Sequence, residues 1–280
     1  MVHPQANSET MQSIKQQFDR DGYVVVKGMM NAEEVALLTD SFMSLHAGGP
    51  IPGCFNPLSP EEANGDVLKL YPRMMHPHRV NPVAQNFMLH PRVMETLAAL
   101  FEEEPLATQS MFYFKPPGAK GQALHQDNYY LKVKPGTCIA AWTAVDPSDE
   151  ENGGLVVVPF TNHEPIHCPK AADPAVSFTK ELVDVPEGKT VLSLKLDAGD
   201  TLFFNGSVIH GSFPNRSKDR FRRSFICHYA GVSSFSISPG YNPIMTKEGD
   251  KLQIGQIPDA GPCGNEFGSS TAAAAVHEPH

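Results

Sequence analysis

The sequence predicts a mainly β fold, an antiparallel barrel or sandwich, with helices ahead of it. Short runs rich in β-branched and aromatic residues recur from residue 106 onward. Turn clusters separate them, among them Pro116-Pro117-Gly118, Pro135-Gly136 and Asn152-Gly153-Gly154. Before residue 105 the apolar positions fall at helical spacing instead. Over 280 residues this fits a single domain, 1–280. Its expected parts are a largely helical segment with a lid loop over 8–105, a β core over 106–232, and an extension and tail over 233–280.

Each element has a local reason. "SETMQSIKQQFDRDG" places Met11, Ile14 and Phe18 on one helical face and stops at Asp21-Gly22. "YVVVKG" reads as a short strand. "NAEEVALLTDSFMSLHAGG" begins with an Asn cap, carries acids in its first turn and ends at Gly48-Gly49. Residues 47–82 are rich in Pro and Gly and read as a long loop. "HPRVMETLAALFEEE" returns to helix with Pro91 in its first turn. The expected strands are "LATQSMFYFK", "CIAAWTAV", "GGLVVVPF", "KTVLSLKL", "DTLFFNGSVIHGS" and "RRSFICHYA". The Ala-rich end, "STAAAAVHEPH", reads as a frayed tail.

Composition narrows the function classes. Twenty-two basic against 31 acidic residues give a net charge of −9, which argues against a broad nucleic-acid surface. No window reaches the roughly 18 apolar residues that a membrane helix needs, and the N-terminus lacks a basic-then-apolar signal. The expectation is a cytoplasmic protein acting on a small molecule, without nucleic-acid or membrane partners. Five scattered cysteines with no CxxC pair argue for reduced thiols rather than a disulfide framework or zinc cluster. The two N-x-S sequons at Asn205 and Asn215 read as accidental without a secretory signal.

The chemistry-bearing stretch is "LHQDNYY". On a strand, residues two apart share a face, so His125 and Asp127 would meet one ion while Gln126 faces away. Alone, such a tripeptide is most often ordinary surface strand. His210, in "FFNGSVIHGSF", is the strongest third candidate, followed by the small pair Gly211-Ser212. Two histidines and a carboxylate on one side of an ion describe a facial triad for non-haem Fe(II), leaving positions for cosubstrate and oxygen. Twelve residues beyond His210 lies Arg222, with Ser224 two further on. A buried arginine there could take a distal carboxylate in a bidentate pair, helped by the serine hydroxyl.

Taken together, these motifs resemble the phytanoyl-CoA dioxygenase family of Fe(II)/2-oxoglutarate oxygenases. "FDRDGYVVVKGMMNAEEVALL", "FKPPG", His125-Gln126-Asp127, "AWTAVDPSDEENGGLVVVPFTNH", "GDTLFF", "HGS" and "FRRSFICHY" occur in the family's order over about residues 15–235. The resemblance implies a double-stranded β-helix (jelly roll, cupin-like). It implies iron ligands and catalytic centre at His125, Asp127 and His210, and 2-oxoglutarate contacts at Arg222 and Ser212 with Trp142 and Met111 lining the cosubstrate. It also implies O2 as oxidant, release of succinate and CO2, and a basic residue ahead of the barrel, Lys69 or Arg73. Asp127 stands where related halogenases carry Ala or Gly, which favours hydroxylation. One departure is Phe160 in "VPFTNH", where glycine commonly sits.

For the substrate the expectation is a small free metabolite, anionic in character, rather than an acyl-CoA. Arg73, His76, His78 and Arg79, in "YPRMMHPHR", would form an anion-holding lid. Gln109, Phe112, Asn128, Tyr129 and Tyr130 would lie near the mouth. Two other readings stay open: a cupin-type dioxygenase or isomerase without 2-oxoglutarate, and an inactive binding module of the same fold.

Overall fold

The structure, a computed structural model, describes residues 8–257. The alanine-rich tail, His3, His277, His280 and Cys263 lie outside the described residues. The helices are α1 (Ser8–Asp21), α2 (Ala32–Ala47), α3 (Pro60–Ala63), α4 (Val67–Leu70), α5 (Pro82–Met88), α6 (Pro91–Phe101) and α7 (Asn128–Leu131). Strands β1 (Tyr23–Val26), β2 (Met74–Met75), β3 (Pro105–Tyr113), β4 (Gln122–His125), β5 (Ile139–Ala144) and β6 (Leu155–Val157) come first. They are followed by β7 (Lys170–Ala171), β8 (Glu181–Leu182), β9 (Leu192–Ser193), β10 (Thr201–Asn205), β11 (His210–Ser212) and β12 (Ser224–Gly231). Short strands β13 (Ser236–Ile237), β14 (Ile244–Met245), β15 (Lys251–Leu252) and β16 (Gly255–Gln256) close the described chain.

Two antiparallel sheets face one another in a jelly roll. The larger runs β1-β10-β5-β12-β3-β14-β15, with β2 added on β3, and the smaller runs β4-β11-β6-β9. Every crossover in the larger sheet joins strands distant in sequence, as in a double-stranded β-helix.

Strand alternation assigns the two faces. In β3, Phe112 and the following Phe114 turn outward, where Phe112 stacks on Phe42 of α2 at 4.0 Å between ring centroids. Leu38, Leu97, Phe203, Phe225 and Tyr229 complete this outer core beneath the helices. Met111 turns inward, paired across the sheet with Ile226, which in turn pairs with Trp142. These inner residues join Leu155, Val157, Leu202 and Phe204 from both sheets. The site lies on this inner face.

The helix expectations hold. Asn31 caps α2 through a capping box with Glu34, and Pro91 stands in the first turn of α6. "DTLFFNGSVIHGS" divides into β10 and β11, because the Asn205 side chain accepts from the Ser207 N–H and turns the chain. Residues 47–82 are not a structureless loop: α3, α4, β2 and a 3-10 turn over Pro77–Arg79 occupy them.

The two histidines of the anion-holding lid expected at 71–79 are corrected for the same reason. Met74 and Met75 pair with β3 and are buried, and His76 and His78 are buried with them. Burial, then the nearby Arg79 charge, pushes His76 down to about 3 and His78 to about 4, so both rings are neutral at physiological pH. A neutral imidazole does not hold an anion by charge. The sign for stability follows: between pH 6.5 and about 4 the unfolded chain binds protons that the folded chain refuses, so stability falls as pH falls. We expect the unfolding free energy to drop steadily below pH 6.5, by about 1.4 kcal/mol per pH unit for each such histidine. Urea titrations of the wild type and His78→Gln at pH 7, 6 and 5 check this, the variant showing the shallower slope.

Candidate metal centre

His125 ends β4 and His210 opens β11, and the two residues are direct partners across that antiparallel pair. Their rings lie 4.2 Å apart between centroids. Close approach of the strands depends on Gly211, where a Cβ would come within 2.7 Å of the Gln122 carbonyl oxygen. Asp127 reaches the same point differently from the sequence expectation. The strand stops at His125, and Asp127 has αR backbone at the head of α7, so a turn rather than strand alternation aims its carboxylate. Gln126 fixes that turn. Its fully buried amide donates to the carbonyls of Pro165 and Ser207 and accepts from the His167 N–H.

One ligand atom from each of His125, Asp127 and His210 lies within 4.8 Å of the others. Asp127 Oδ1 is 3.5 Å from His125 Nε2 and 3.7 Å from His210 Nε2. All three side chains are buried. The tautomers are set by the backbone: Nδ1–H of His125 donates to the Ala123 carbonyl at 2.9 Å, and that of His210 to the Val208 carbonyl at 3.0 Å. Both Nε2 lone pairs therefore face the site, and the one on His125 accepts from the Gln122 amide at 3.1 Å. Burial, then the neighbouring His125, lowers His210 to about 4, which keeps that ligand unprotonated near neutrality. Burial acts against the Asp127 charge, yet His210 and His228 beside it, the latter through its Nε2–H, hold its carboxyl well below the usual range. Two neutral imidazoles and one ionised carboxylate on one side of a buried point fit a divalent first-row metal.

The fourth participant, His228 of β12, was missed in the sequence. Its Nε2–H donates to Asp127 Oδ2 at 2.9 Å, leaving Oδ1 toward the histidines. Its Nδ1 has no partner. The signal was available: His228 lies six residues after Arg222 and four after Ser224, so it continues the inward row of that strand. Outer partners of this kind are worth about 10- to 100-fold in metal affinity. We expect His228→Ala to weaken Fe(II) binding by that factor without unfolding the protein, as measured by anaerobic equilibrium dialysis beside circular dichroism.

Facing the triad across the same cavity are Met111, Trp142, Ser212 and Arg222. Arg222 is buried, donates from Nε to the Gly153 carbonyl at 3.1 Å and from Nη1 to Ser224 Oγ at 2.8 Å, and lies over the Trp142 ring at 5.2 Å. Burial lowers its pKa to about 10, and it remains a cation at neutral pH. Beside it lies a second residue not read from the sequence. Lys115 is also buried, donates from Nζ to Ser212 Oγ at 2.8 Å, and is held well below its usual pKa by burial and then by the Arg222 charge. Gly153 makes room for both: its φ is +90°, and a Cβ there would meet the Lys115 stem at 2.5 Å.

The other expected residues separate from the site. Gln109 is buried on the inner face, paired with His228 across the sheet, but does not line the cavity. Phe112 belongs to the outer core. Asn128 is corrected to a structural role, because its side chain accepts from the Val133 N–H at 2.9 Å and closes the turn after α7. Tyr129 packs edge-on against Tyr130, 5.0 Å between centroids, and neither lines the cavity. Lys69 is exposed, whereas Arg73 lines a neighbouring cavity with Tyr113, to whose hydroxyl it donates at 3.2 Å. Phe160 occupies the left-handed region at φ +62°, which accounts for glycine being usual there.

Known proteins resemble this chain in sequence and in fold. The human peroxisomal phytanoyl-CoA dioxygenase is 31% identical over 150 residues, covering 51% of this chain and 44% of that protein. Phytanoyl-CoA dioxygenase 1 of Oryza sativa subsp. japonica is 28% identical over 141 residues, half of each chain. The chain thus spans about half the length of the curated relatives it matches. Among solved structures, the epimerase SnoN in complex with Fe3+, alpha ketoglutarate and nogalamycin RO shares the fold at TM-score 0.67 and 20% identity, over 91% of this chain and 97% of that one. The carbocyclase SnoK from nogalamycin biosynthesis does so at TM-score 0.64 and 17% identity, over 84% and 89%. The family model of phytanoyl-CoA dioxygenase (PhyH) matches residues 18–224, a span that holds His125, Asp127, His210 and Arg222, and the chain belongs to that family.

Proposed function

We propose that this protein is a non-haem Fe(II)- and 2-oxoglutarate-dependent dioxygenase that hydroxylates a C–H bond of a small, anionic metabolite, with release of succinate and CO2. One observation carries the reading: a buried His-Asp-His triad faces, across one cavity, a buried arginine with no carboxylate partner among the described residues. A metal held by three protein atoms keeps positions for further ligands, and a cation on the opposite wall asks for a molecule with a distal carboxylate. 2-Oxoglutarate has both ends. A cupin-type reaction without it would leave Arg222 buried and uncompensated, at a cost of several kcal/mol.

Each residue then has a task. His125 and His210 offer Nε2, because their Nδ1–H groups are committed to backbone carbonyls. Asp127 offers Oδ1 while His228 holds Oδ2. Arg222 and the Ser212 hydroxyl receive the distal carboxylate, with Trp142 beneath the guanidinium fixing its plane. Fe(II), when bound with 2-oxoglutarate, supplies the oxygen activation that no side chain can perform. Met111, Ile226, Leu155 and Phe204 line the cavity and exclude water from the reacting centre. No helix among the described residues is long and apolar enough to cross a membrane.

The test is stoichiometric. Purified protein with Fe(II), 2-oxoglutarate and O2 should form succinate slowly on its own and faster with a productive metabolite, in both cases dependent on iron. If 2-oxoglutarate binds yet is never consumed across a broad metabolite panel, the protein is the inactive binding module instead.

A further inference from the structure

A second cavity, of about 210 Å³, adjoins the metal cavity and shares Tyr113 with it. Its wall holds three basic side chains, Arg73, Lys115 and Lys120, and no acidic one. The rest is apolar or aromatic, with Tyr71, Phe114 and Phe178 prominent. This is unexpected in a chain of net charge −9. Arginines elsewhere find acids readily: Arg92 pairs with Glu34, Arg220 with Asp149 and Arg223 with Asp146. Around this cavity none does. Among the described residues Arg73 has one hydrogen bond, to the Tyr113 hydroxyl, and its guanidinium lies beside the neighbouring rings of Tyr113 and Phe178, 6.0 and 5.8 Å from their centroids. Lys120 reaches only the Pro174 carbonyl, and Lys115 only the Ser212 hydroxyl.

Like charges gathered without counter-charge repel one another, as Arg73 and Lys120 do here, while burial holds the Lys115 amine beside them well below its usual pKa and leaves it a hydrogen-bond donor. Such an arrangement is relieved by an anion. The cosubstrate does not supply it: of the two carboxylates of 2-oxoglutarate, one goes to the metal side and the other to Arg222. That allocation rests on the function proposed above. Arg73 and Lys120 face a different cavity. We propose that this cavity is a second anion-binding site, taking a phosphate or carboxylate group carried on a planar apolar body. The anion meets the Arg73 guanidinium and the Lys120 ammonium, and the apolar body lies against Phe114, Phe178 and Tyr71. Arg73 gives the site its geometry, since the Tyr113 hydroxyl and the two adjacent rings place its guanidinium, whose fork matches the two oxygens of a carboxylate or phosphate.

Isothermal titration calorimetry on the full chain, loaded anaerobically with Fe(II) and 2-oxoglutarate, tests this with phenyl phosphate and benzoate as probes and benzyl alcohol as the neutral counterpart. One phenyl phosphate or benzoate should bind per chain, and benzyl alcohol should not saturate. The Arg73→Gln/Lys120→Gln variant, altered only at side chains that reach the surface, should bind both anions at least tenfold more weakly while keeping its 2-oxoglutarate–iron absorption band. Absence of saturable anion binding to the loaded protein overturns the proposal, as does equal binding by the variant. Binding seen only without 2-oxoglutarate, and competitive with it, would place the probe on Arg222 and equally refute a second site. Loss of the absorption band in wild type with anion binding intact would refute the proposed function and leave this site standing.

Discussion

Replacing Arg222 with alanine should raise the 2-oxoglutarate concentration needed for half-saturation by about 30- to 4,000-fold, and leave Fe(II) affinity within about threefold. The size follows from the environment: truncating one partner of a buried, hydrogen-bonded charge pair costs about 2–5 kcal/mol, and each 1.4 kcal/mol is tenfold. The selectivity follows from position. Arg222 is anchored to Gly153 and Ser224, not to any of the three metal-facing residues. Arg222→Lys should recover only part of the loss, because an ammonium lacks the planar fork and would not reproduce the bonds to Gly153 and Ser224. Succinate formation against 2-oxoglutarate concentration, beside Fe(II) binding by equilibrium dialysis, gives both numbers. Equal loss of both affinities would mean that the arginine supports the sheet rather than the cosubstrate.

The second large effect is expected at His210. His210→Ala removes one of two neutral nitrogen donors and leaves Asp127 with a single metal-facing imidazole. Fe(II) affinity should fall well beyond the 10- to 100-fold expected for the outer partner His228, and succinate formation should be abolished. Folding should survive, because the residue sits at a strand end whose neighbours Val208 and Ile209 carry the packing. The comparison between the two variants is the informative part. If His228→Ala proved as damaging as His210→Ala, His228 would itself be a ligand, and the assignment of Asp127 Oδ2 as a hydrogen-bonded oxygen would be wrong.

The sequence made the triad legible because two of its members sit close together and the third ends a recognisable apolar run. It was less informative about how they converge. Asp127 was read as a strand residue, yet the chain turns immediately after His125, and only the buried Gln126 network determines where the carboxylate points. His228 escaped because its neighbours in "FICHYA" look like plain core, and its value depends on a contact 101 residues away in the chain. Lys115 escaped for a similar reason: a lysine before Pro-Pro reads as a solvated turn, whereas the side chain is buried with its stem against Gly153. The histidines at 76 and 78 failed in the opposite sense. Their charge looked useful in sequence, and burial removes it. The helices and core strands were clearer because capping residues and apolar periodicity act locally.

The central claim is that His125, Asp127 and His210 hold an iron that 2-oxoglutarate chelates with its far end on Arg222. Anaerobic titration with Fe(II) and then 2-oxoglutarate, followed by visible absorption, tests it most directly. The expected result is a weak charge-transfer band that needs both additions, saturates at one of each per chain, and is absent from His210→Ala. No band in the wild-type protein, or a band that persists in His210→Ala, would contradict the account.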